Sequence, residues 1–546
     1  MKKTRVTLSR FIKAHHISAA ALGAGVIVAG IVFFVVGAGV RLLIGPVSLG
    51  PLHGTLAAAI HDALPGIALD YDQAAIEWSR DEGRVNLVVL GARMYDSSGR
   101  IVAQAPKADI DLAAAPFLSG RIVVRRIALV GVQLTLVHTK DGGIRLGLQQ
   151  DRNSEDLIRR LGDVIEARGG TGSSLESFAV RNARLAIMDE PSGLFVVAPK
   201  ASLVMRSRGR DILLAFDADT EISGRKSHVS ANLVLPPGQA PFRGDLTVSG
   251  LDLRALAANA PRYAVLKNVP LIASASARFA MRAGGKLENA DFDVTAHGEI
   301  PAHILKDKIL HVRQFRLTGH YDGSGRKLTL ETADLDARAA RMRGRGDGEF
   351  VYAGGALEQI KARLAFDRIV VDAPALFQQP VGYQSLVVDG AWLPGARRFE
   401  VSQARLTAPG FNLTASGKLS LNDTGAPGLS AHAQIAELPV RTLLRYWPLP
   451  MAGGAREWID HNIFAGTIGP LDANCDFAPG VMDLEVLPED SVKMTFAIKG
   501  VEGAYIKGLT HATGVDGDAV LTGDSFRASF TAGHIGPIIA SRGSAL

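Results

Sequence analysis

From Val85 onward, apolar and polar side chains alternate with a period of two over most of the chain. Val85, Leu87 and Val89 alternate with Asn86, Val88 and Leu90. Ile101, Ala103 and Ala105 follow the same rule, and Asp109-Ile110-Asp111-Leu112 continues it. Val132, Leu134 and Leu136 alternate with Gln133, Thr135 and Val137. Such alternation predicts half-buried strands, one face packed and the other wet. Turn signals separate the runs: Asp96-Ser97-Ser98-Gly99, Ser119-Gly120 and Asp141-Gly142-Gly143. Between Asp151 and Arg168 the period changes. Leu157, Ile158, Leu161, Val164 and Ile165 share one helical face, and Gly169-Gly170 ends the segment. Strands resume at Phe178.

Two internal correspondences bear on architecture. Leu253-Arg254-Ala255-Leu256, leading to Pro261, matches Val440-Arg441-Thr442-Leu443, leading to Pro448, at an offset of 187 residues. More extensively, residues 315–350 align with 386–421 without a gap at an offset of 71. Phe315, Leu317, Gly319 and Tyr321 fall on Leu386, Val388, Gly390 and Trp392. Leu328, Leu330, Ala333 and Leu335 fall on Phe399, Val401, Ala404 and Leu406, while Met342, Gly346 and Phe350 fall on Leu413, Gly417 and Leu421. Repeated strand modules stack so that each contacts mainly its neighbours. The expected fold is therefore mainly β: an elongated, repetitive antiparallel sheet with a few short helices. Roughly 25 singly stacked strands would make a rod on the order of 120 Å. Its apolar face is accounted for equally by ordinary folding and by a lipid-lined groove.

Before Asp62 the only formal charges are Lys2, Lys3, Arg5, Arg10, Lys13 and Arg41. They sum to +6, the net charge of the whole chain, so the remainder balances to zero. Despite a pI near 9.3, the body carries no net basic field of the kind nucleic acid requires. Ile17 to Val40 is a run of 24 residues without a formal charge. As a helix it would be about 36 Å long, enough for a hydrocarbon layer of about 30 Å. Five cations precede the run and one follows it, which keeps the basic tip in the cytoplasm and exports the body. A transmembrane anchor and a cleaved signal peptide both place the body outside the cytoplasm. Apolar residues make up 47% of the chain, which excludes disorder, and the single cysteine, Cys475, excludes a disulfide framework.

Leu444-Arg445-Tyr446-Trp447-Pro448, then Gly454-Ala455-Arg456-Glu457-Trp458-Ile459 and Asn462-Ile463, resembles the signature of large AsmA-like proteins of the YhdP type. Gly91 to Asp96, Ala105 to Ala108 and Leu118 to Ile122 are similar to early strands of the wider AsmA and TamB superfamily of bridge-like lipid transfer proteins. The resemblance implies a bacterial inner-membrane anchor and a periplasmic sheet curled into a U-shaped groove that carries phospholipid towards the outer membrane. Family members are typically longer, which raises the expectation of a fragment or short paralogue ending at Leu546. The segments expected are a cytoplasmic tip (1–16), a membrane helix (17–40), a juxtamembrane linker (41–84), an N-terminal β module (85–250) holding helix 151–168, repeated β modules (251–439), and the signature with further strands (440–546).

Under that reading the groove lining comes from alternate residues such as Leu87, Leu134, Leu136, Leu317, Leu328, Leu330, Phe399 and Val401, with the inward parity left open. Tyr446, Trp447, Pro448, Arg456, Glu457 and Trp458 carry the signature. They are read either as a helical cap with Trp458 as core anchor or as the entrance to a lipid path. The alternative function is a non-enzymatic scaffold binding envelope or outer-membrane proteins along its edge strands.

No motif points to an enzyme, a metal or a cofactor. His15-His16, at the cytoplasmic edge of the apolar run, reads as an interfacial polar pair, and His53 and His61, eight apart, lack zinc spacing. Gly344-Arg345-Gly346-Asp347-Gly348 lacks the context of a dinucleotide loop and reads as a strand end. Gly284-Gly285-Lys286 lacks the upstream glycine of a phosphate loop.

Overall fold

The computed structural model describes residues 175–545 with short gaps, and before them residues 68–79, 84–95, 101–112, 123–140, 144–146 and a few isolated positions. The expected helix 151–168 lies outside the described residues, as do 1–16 and nearly all of 17–40 and 41–67. Within the apolar run, Gly30, Phe33 and Gly37 are helical and exposed. Among the described residues no helix is long and apolar enough to cross a membrane.

The protein is mainly β and divides into two compact units, residues 1–190 with 197–218, and residues 191–196 with 219–546. The first contains β1 (Val47–Ser48), β2 (Ala68–Asp70), β3 (Gln73–Ser79), β4 (Arg84–Tyr95), β5 (Ile101–Leu112), β6 (Val124–Val130), β7 (Gln133–His138), β8 (Ile144–Leu146), β9 (Ser177–Asp189) and all but the first three residues of β10 (Leu194–Arg208). Neighbours from β3 to β6 pair antiparallel. The expected antiparallel sheet is observed, with one local departure: β9 pairs in parallel with both β6 and β7. The line of β6 and β7 is broken at Gly131, whose φ of 75° suits a residue without Cβ. Parallel pairing needs a crossover, and the chain between β7 and β9 supplies its length.

Half-burial fails in β4. Asn86, Leu87, Val88 and Val89 are all buried, so this part of the strand is covered on both faces; from Leu90, which is exposed, alternation returns, with Ala92 and Met94 buried between less buried neighbours.

In the second unit the chain runs back and forth as one antiparallel meander. After β11 (Asp211–Ile222), which straddles the division, come β12 (Arg225–Leu235), β13 (Phe242–Asp252), β14 (Leu271–Met281), β15 (Leu287–Pro301), β16 (Ile309–Asp322), β17 (Lys327–Ala337) and β18 (Ala340–Ala353). Then follow β19 (Ala356–Val371), β20 (Val381–Leu393), β21 (Arg398–Ala408), β22 (Phe411–Ser420), β23 (Gly428–Ile435), β24 (Leu438–Pro439), β25 (Ile463–Phe477), β26 (Val492–Gly503), β27 (Ala512–Thr522) and β28 (Phe526–Ile535). Two three-residue strands, β29 (Ile538–Ala540) and β30 (Gly543–Ala545), pair with β28. Gly344 to Gly348 lies in the middle of β18 and not at a strand end.

The 71-residue correspondence extends to backbone detail. Each of β20, β21 and β22 begins 71 or 72 residues after β16, β17 and β18. A register shift falls between Thr318 and Gly319 and again between Asp389 and Gly390. A Cβ on Gly319 would meet the Thr329 carbonyl oxygen at 2.3 Å, and one on Gly390 would meet that of Glu400 at 2.5 Å. Both bulges therefore require glycine. The following turns share a left-handed residue, Arg326 at φ 53° and Arg397 at φ 49°.

Three short helices interrupt the meander: α1 (Leu253–Asn259), α2 (Val440–Tyr446) and α3 (Gly453–Asn462). The 187-residue offset maps the bounds of α1 onto those of α2. Asp252 caps α1 by accepting from the Ala255 amide at 3.0 Å. Both α1 and the α2–α3 pair connect strands at the same end of the meander, the helix end. The opposite hairpin end is closed by turns such as 323–326 and 394–397.

Candidate functional site: the apolar sheet face of the second unit

Directly paired residues on neighbouring antiparallel strands point to the same side of the sheet. The register therefore traces rows across strands. One row runs Gly319, Leu330, Gly346, Leu364, Val388, Ala404, Ala415, Ala433, Ala473 and Met494. Two residues nearer the hairpin end, a second row runs Tyr321, Leu328, Gly348, Ala362, Gly390, Val401, Gly417, Ala431, Cys475 and Val492. Beyond it a third row runs Phe350, Ile360, Trp392, Phe399, Leu419, Leu429 and Phe477. None of these positions carries a charge or an amide. The side chains of the third row are half-buried, and Phe399 is 43% exposed. The first two rows cross ten strands and the third crosses seven, so at ~4.8 Å per strand the face spans at most about 43 Å by 14 Å; within it Gly319 and Gly346 are buried, and Ala473 and Met494 pack against the buried cluster under the helices.

At the helix end the same face is closed. Leu253, Val269 and Phe315 pack against the cluster of Leu271, Ala273, Ala296, Val312 and Ala337. From α2 and α3, Val440, Leu443, Leu444, Trp447 and Ile459 join Val381, Phe411, Ile468, Leu471 and Phe496 in a larger cluster. Tyr446 stacks on Phe411 at 4.7 Å and lies 5.6 Å from Tyr383, whose hydroxyl is pushed up to about 12 by burial and by neighbouring Tyr446. The void under this cap is about 10 Å³, too small to hold a ligand.

The reverse face is charged and its signs alternate. Lys327, Glu349, Lys361, Ala391, Glu400, Lys418, Ser430 and Asp476 form one row. Arg316 pairs with Asp293 at 2.7 Å, Arg313 with Asp336, His320 with Asp291 at 2.7 Å, and His432 with Asp472 at 2.7 Å. The bond from His432, helped by Gln434, holds the Asp472 carboxyl below its usual range, and Arg313 does the same to Asp336. A cleft of about 1140 Å³ opens on this face, lined by Lys361, Arg363, Asp389, Lys418 and His432 among others. Its charges of both signs neighbour each other across strands, which accounts for them as sheet-stabilising pairs. Among the described residues no group of three or more His, Cys, Asp or Glu could hold a metal ion.

Of the eight lining residues expected from sequence, Leu317, Leu328, Leu330, Phe399 and Val401 share the apolar face of the second unit. Leu134 and Leu136 are half-buried on β7, in the first unit. Leu87 is 4% exposed inside β4, so it is core and cannot line an open surface. Among the signature residues Tyr446 and Trp447 are buried, Pro448 is half-buried and Glu457 is exposed. Trp458 is not a core anchor: it is 49% exposed. The buried positions of α3 are Arg456 and Ile459, three apart on the helix face turned to the sheet. Arg456 donates from Nε to the Trp447 carbonyl at 3.2 Å and from Nη2 to the Leu444 carbonyl at 3.1 Å. It thereby satisfies carbonyls that the end of α2 leaves open.

Sequence reasoning missed Tyr352 and did not see that the aromatic residues of the repeats collect at the hairpin end. The available signal was their position, since Tyr321, Phe350, Trp392 and Phe399 all stand next to turns. No protein-family model matches the chain, and neither a curated protein nor a solved structure matches it.

Proposed function

We propose that the chain is a non-enzymatic conduit for phospholipid, anchored in the bacterial inner membrane by residues 17–40, with a periplasmic body that passes lipid towards the outer membrane. The observation that carries the reading is the uncovered apolar area of the second unit, three rows deep and backed by a charged face. A folded chain gains nothing from leaving so many apolar side chains half-exposed; acyl chains laid on them would remove about 0.8 kcal/mol of unfavourable hydration per CH₂. Because Leu, Val, Ala and Gly recur from strand to strand, neighbouring positions offer similar energies and lipid can move along the rows without a tight site. A groove curled around the lipid, as the AsmA-like resemblance implies, belongs to this proposal.

The test is lipid mass spectrometry on the full chain purified in detergent. The wild type is expected to retain phospholipid at more than one molecule per chain, and Leu330→Glu to retain much less while remaining folded. A protein partner with no lipid would favour an envelope scaffold, and equal lipid in both chains would reject the apolar face as the carrier.

A further inference from the structure

The apolar face differs from one margin to the other. Its helix end is closed by α1 and the α2–α3 pair, with the aromatic rings of the cluster packed inside it; its hairpin end is open, and its aromatic rings are half-buried or exposed. There Tyr321 meets Phe350 edge-on at 5.5 Å, and Trp392 lies 4.3 Å from Phe399. The Arg326 guanidinium sits 5.0 Å over the ring of Tyr352, which is 41% exposed. Its carboxylate neighbour Asp322 is occupied by the Ser324 amide and hydroxyl. Arg326 is in no ion pair among the described residues. Aromatic rings with a polar tip, fringed by an arginine, are the arrangement that settles where hydrocarbon gives way to phosphate and water. Arginine's planar fork also matches phosphate oxygens in pairs.

We infer that the hairpin-end margin around Arg326, Tyr321 and Tyr352 takes the phosphodiester of a phospholipid, with the acyl chains directed towards the helix end. This rests on the lipid reading above and adds to it an orientation and a headgroup site. Arg397, in the same left-handed turn position one repeat on, marks a second, weaker copy, because Trp392 stands in place of Tyr321 and the residue 71 positions after Tyr352 is Asp423, not a tyrosine.

The test compares two lipids with the same oleoyl chains, phosphatidylglycerol and dioleoylglycerol, which lacks the phosphate. Each is incubated with the full chain and quantified by native mass spectrometry. The wild type is expected to retain the phospholipid about ten-fold over the diacylglycerol, the effect of a charge-assisted hydrogen bond. Arg326→Gln is expected to bring the two towards equality by lowering phospholipid retention while dioleoylglycerol retention stays the same, and Arg397→Gln to do so to a smaller degree. Millimolar inorganic phosphate should leave the phospholipid bound; displacement by phosphate would mean an anion site unrelated to lipid and would overturn the inference. So would an undiminished preference in Arg326→Gln, or equal retention of both lipids by the wild type, either of which leaves the conduit standing. Retention of neither lipid, or of a polypeptide instead, would overturn both.

A second measurement does not depend on the arginine variant. A photo-crosslinking side chain at Phe399 is expected to capture a headgroup-labelled lipid, and one at Val388 a tail-labelled lipid. The reverse pattern would overturn the orientation.

Discussion

Strands β4 and β20 read alike in sequence and do opposite things. In β4, Leu87, Val88 and Val89 are all buried, so this stretch is interior to its unit on both faces. In β20, Val388 and Trp392 are half-buried on an apolar side, and Asp389 lines the charged cleft on the other. Apolar side chains in the first case are consumed by folding. In the second they remain available, and that difference separates a residue that holds a unit together from one that can meet a lipid.

Paired truncations break this comparison most sharply. Leu87→Ala should cost about 2–5 kcal/mol, because a buried leucine leaves a cavity. Leu330→Ala, on the half-exposed row, should cost less than about 1 kcal/mol. Hydrogen exchange resolved by segment checks both; equal losses would mean that the face around Leu330 is as closed as β4.

Gly390→Val addresses the bulges that recur in the repeats. A Cβ there would press on the Glu400 carbonyl, so the expected cost is about 1–3 kcal/mol, seen as faster exchange in β20 and β21 but not in β4. Unchanged exchange would mean that the bulge tolerates a side chain.

An effect of similar size concerns the closed margin. Arg456 is only 7% exposed, and Arg456→Met should remove two hydrogen bonds to the end of α2. A loss of about 1–3 kcal/mol, confined to α2 and α3, is expected by the same exchange measurement.

The smallest effect is read by pH. The Tyr383 hydroxyl is raised from 10.0 to about 12 in the folded protein. Between those values the folded state holds a proton that the unfolded chain has released, so stability is full below pH 10 and falls as pH rises towards 12. Denaturant titrations of Tyr383→Phe should show a shallower alkaline decline than the wild type; identical slopes would mean that Tyr383 is solvated.

The repeated strands were the most legible part of the sequence, because one-sided burial imprints a period of two and the 71-residue offset preserves glycines at Gly319 and Gly390. The same signal failed in the first half of β4, where burial of residues 86–89 on both faces erases the distinction between parities and Leu87 looks like a lining residue. The parallel pairing of β9 was illegible, since its partners lie far away in sequence and no local pattern encodes strand direction. On α3, the conspicuous Trp458 drew attention from its neighbour. Helix phase, fixed only by docking on the sheet, turned Arg456 and Ile459 inward instead. The charged rows of the reverse face needed the register before Lys361 and Glu349 could be recognised as neighbours.

The adjacent residues Val388 and Asp389 offer the most direct measurement, since one chain position separates the two faces. A photo-crosslinking side chain at each, in the full chain in its native membranes, should capture phospholipid from position 388 and not from 389. Lipid captured equally from both positions, or from neither, would contradict a lipid-carrying apolar face.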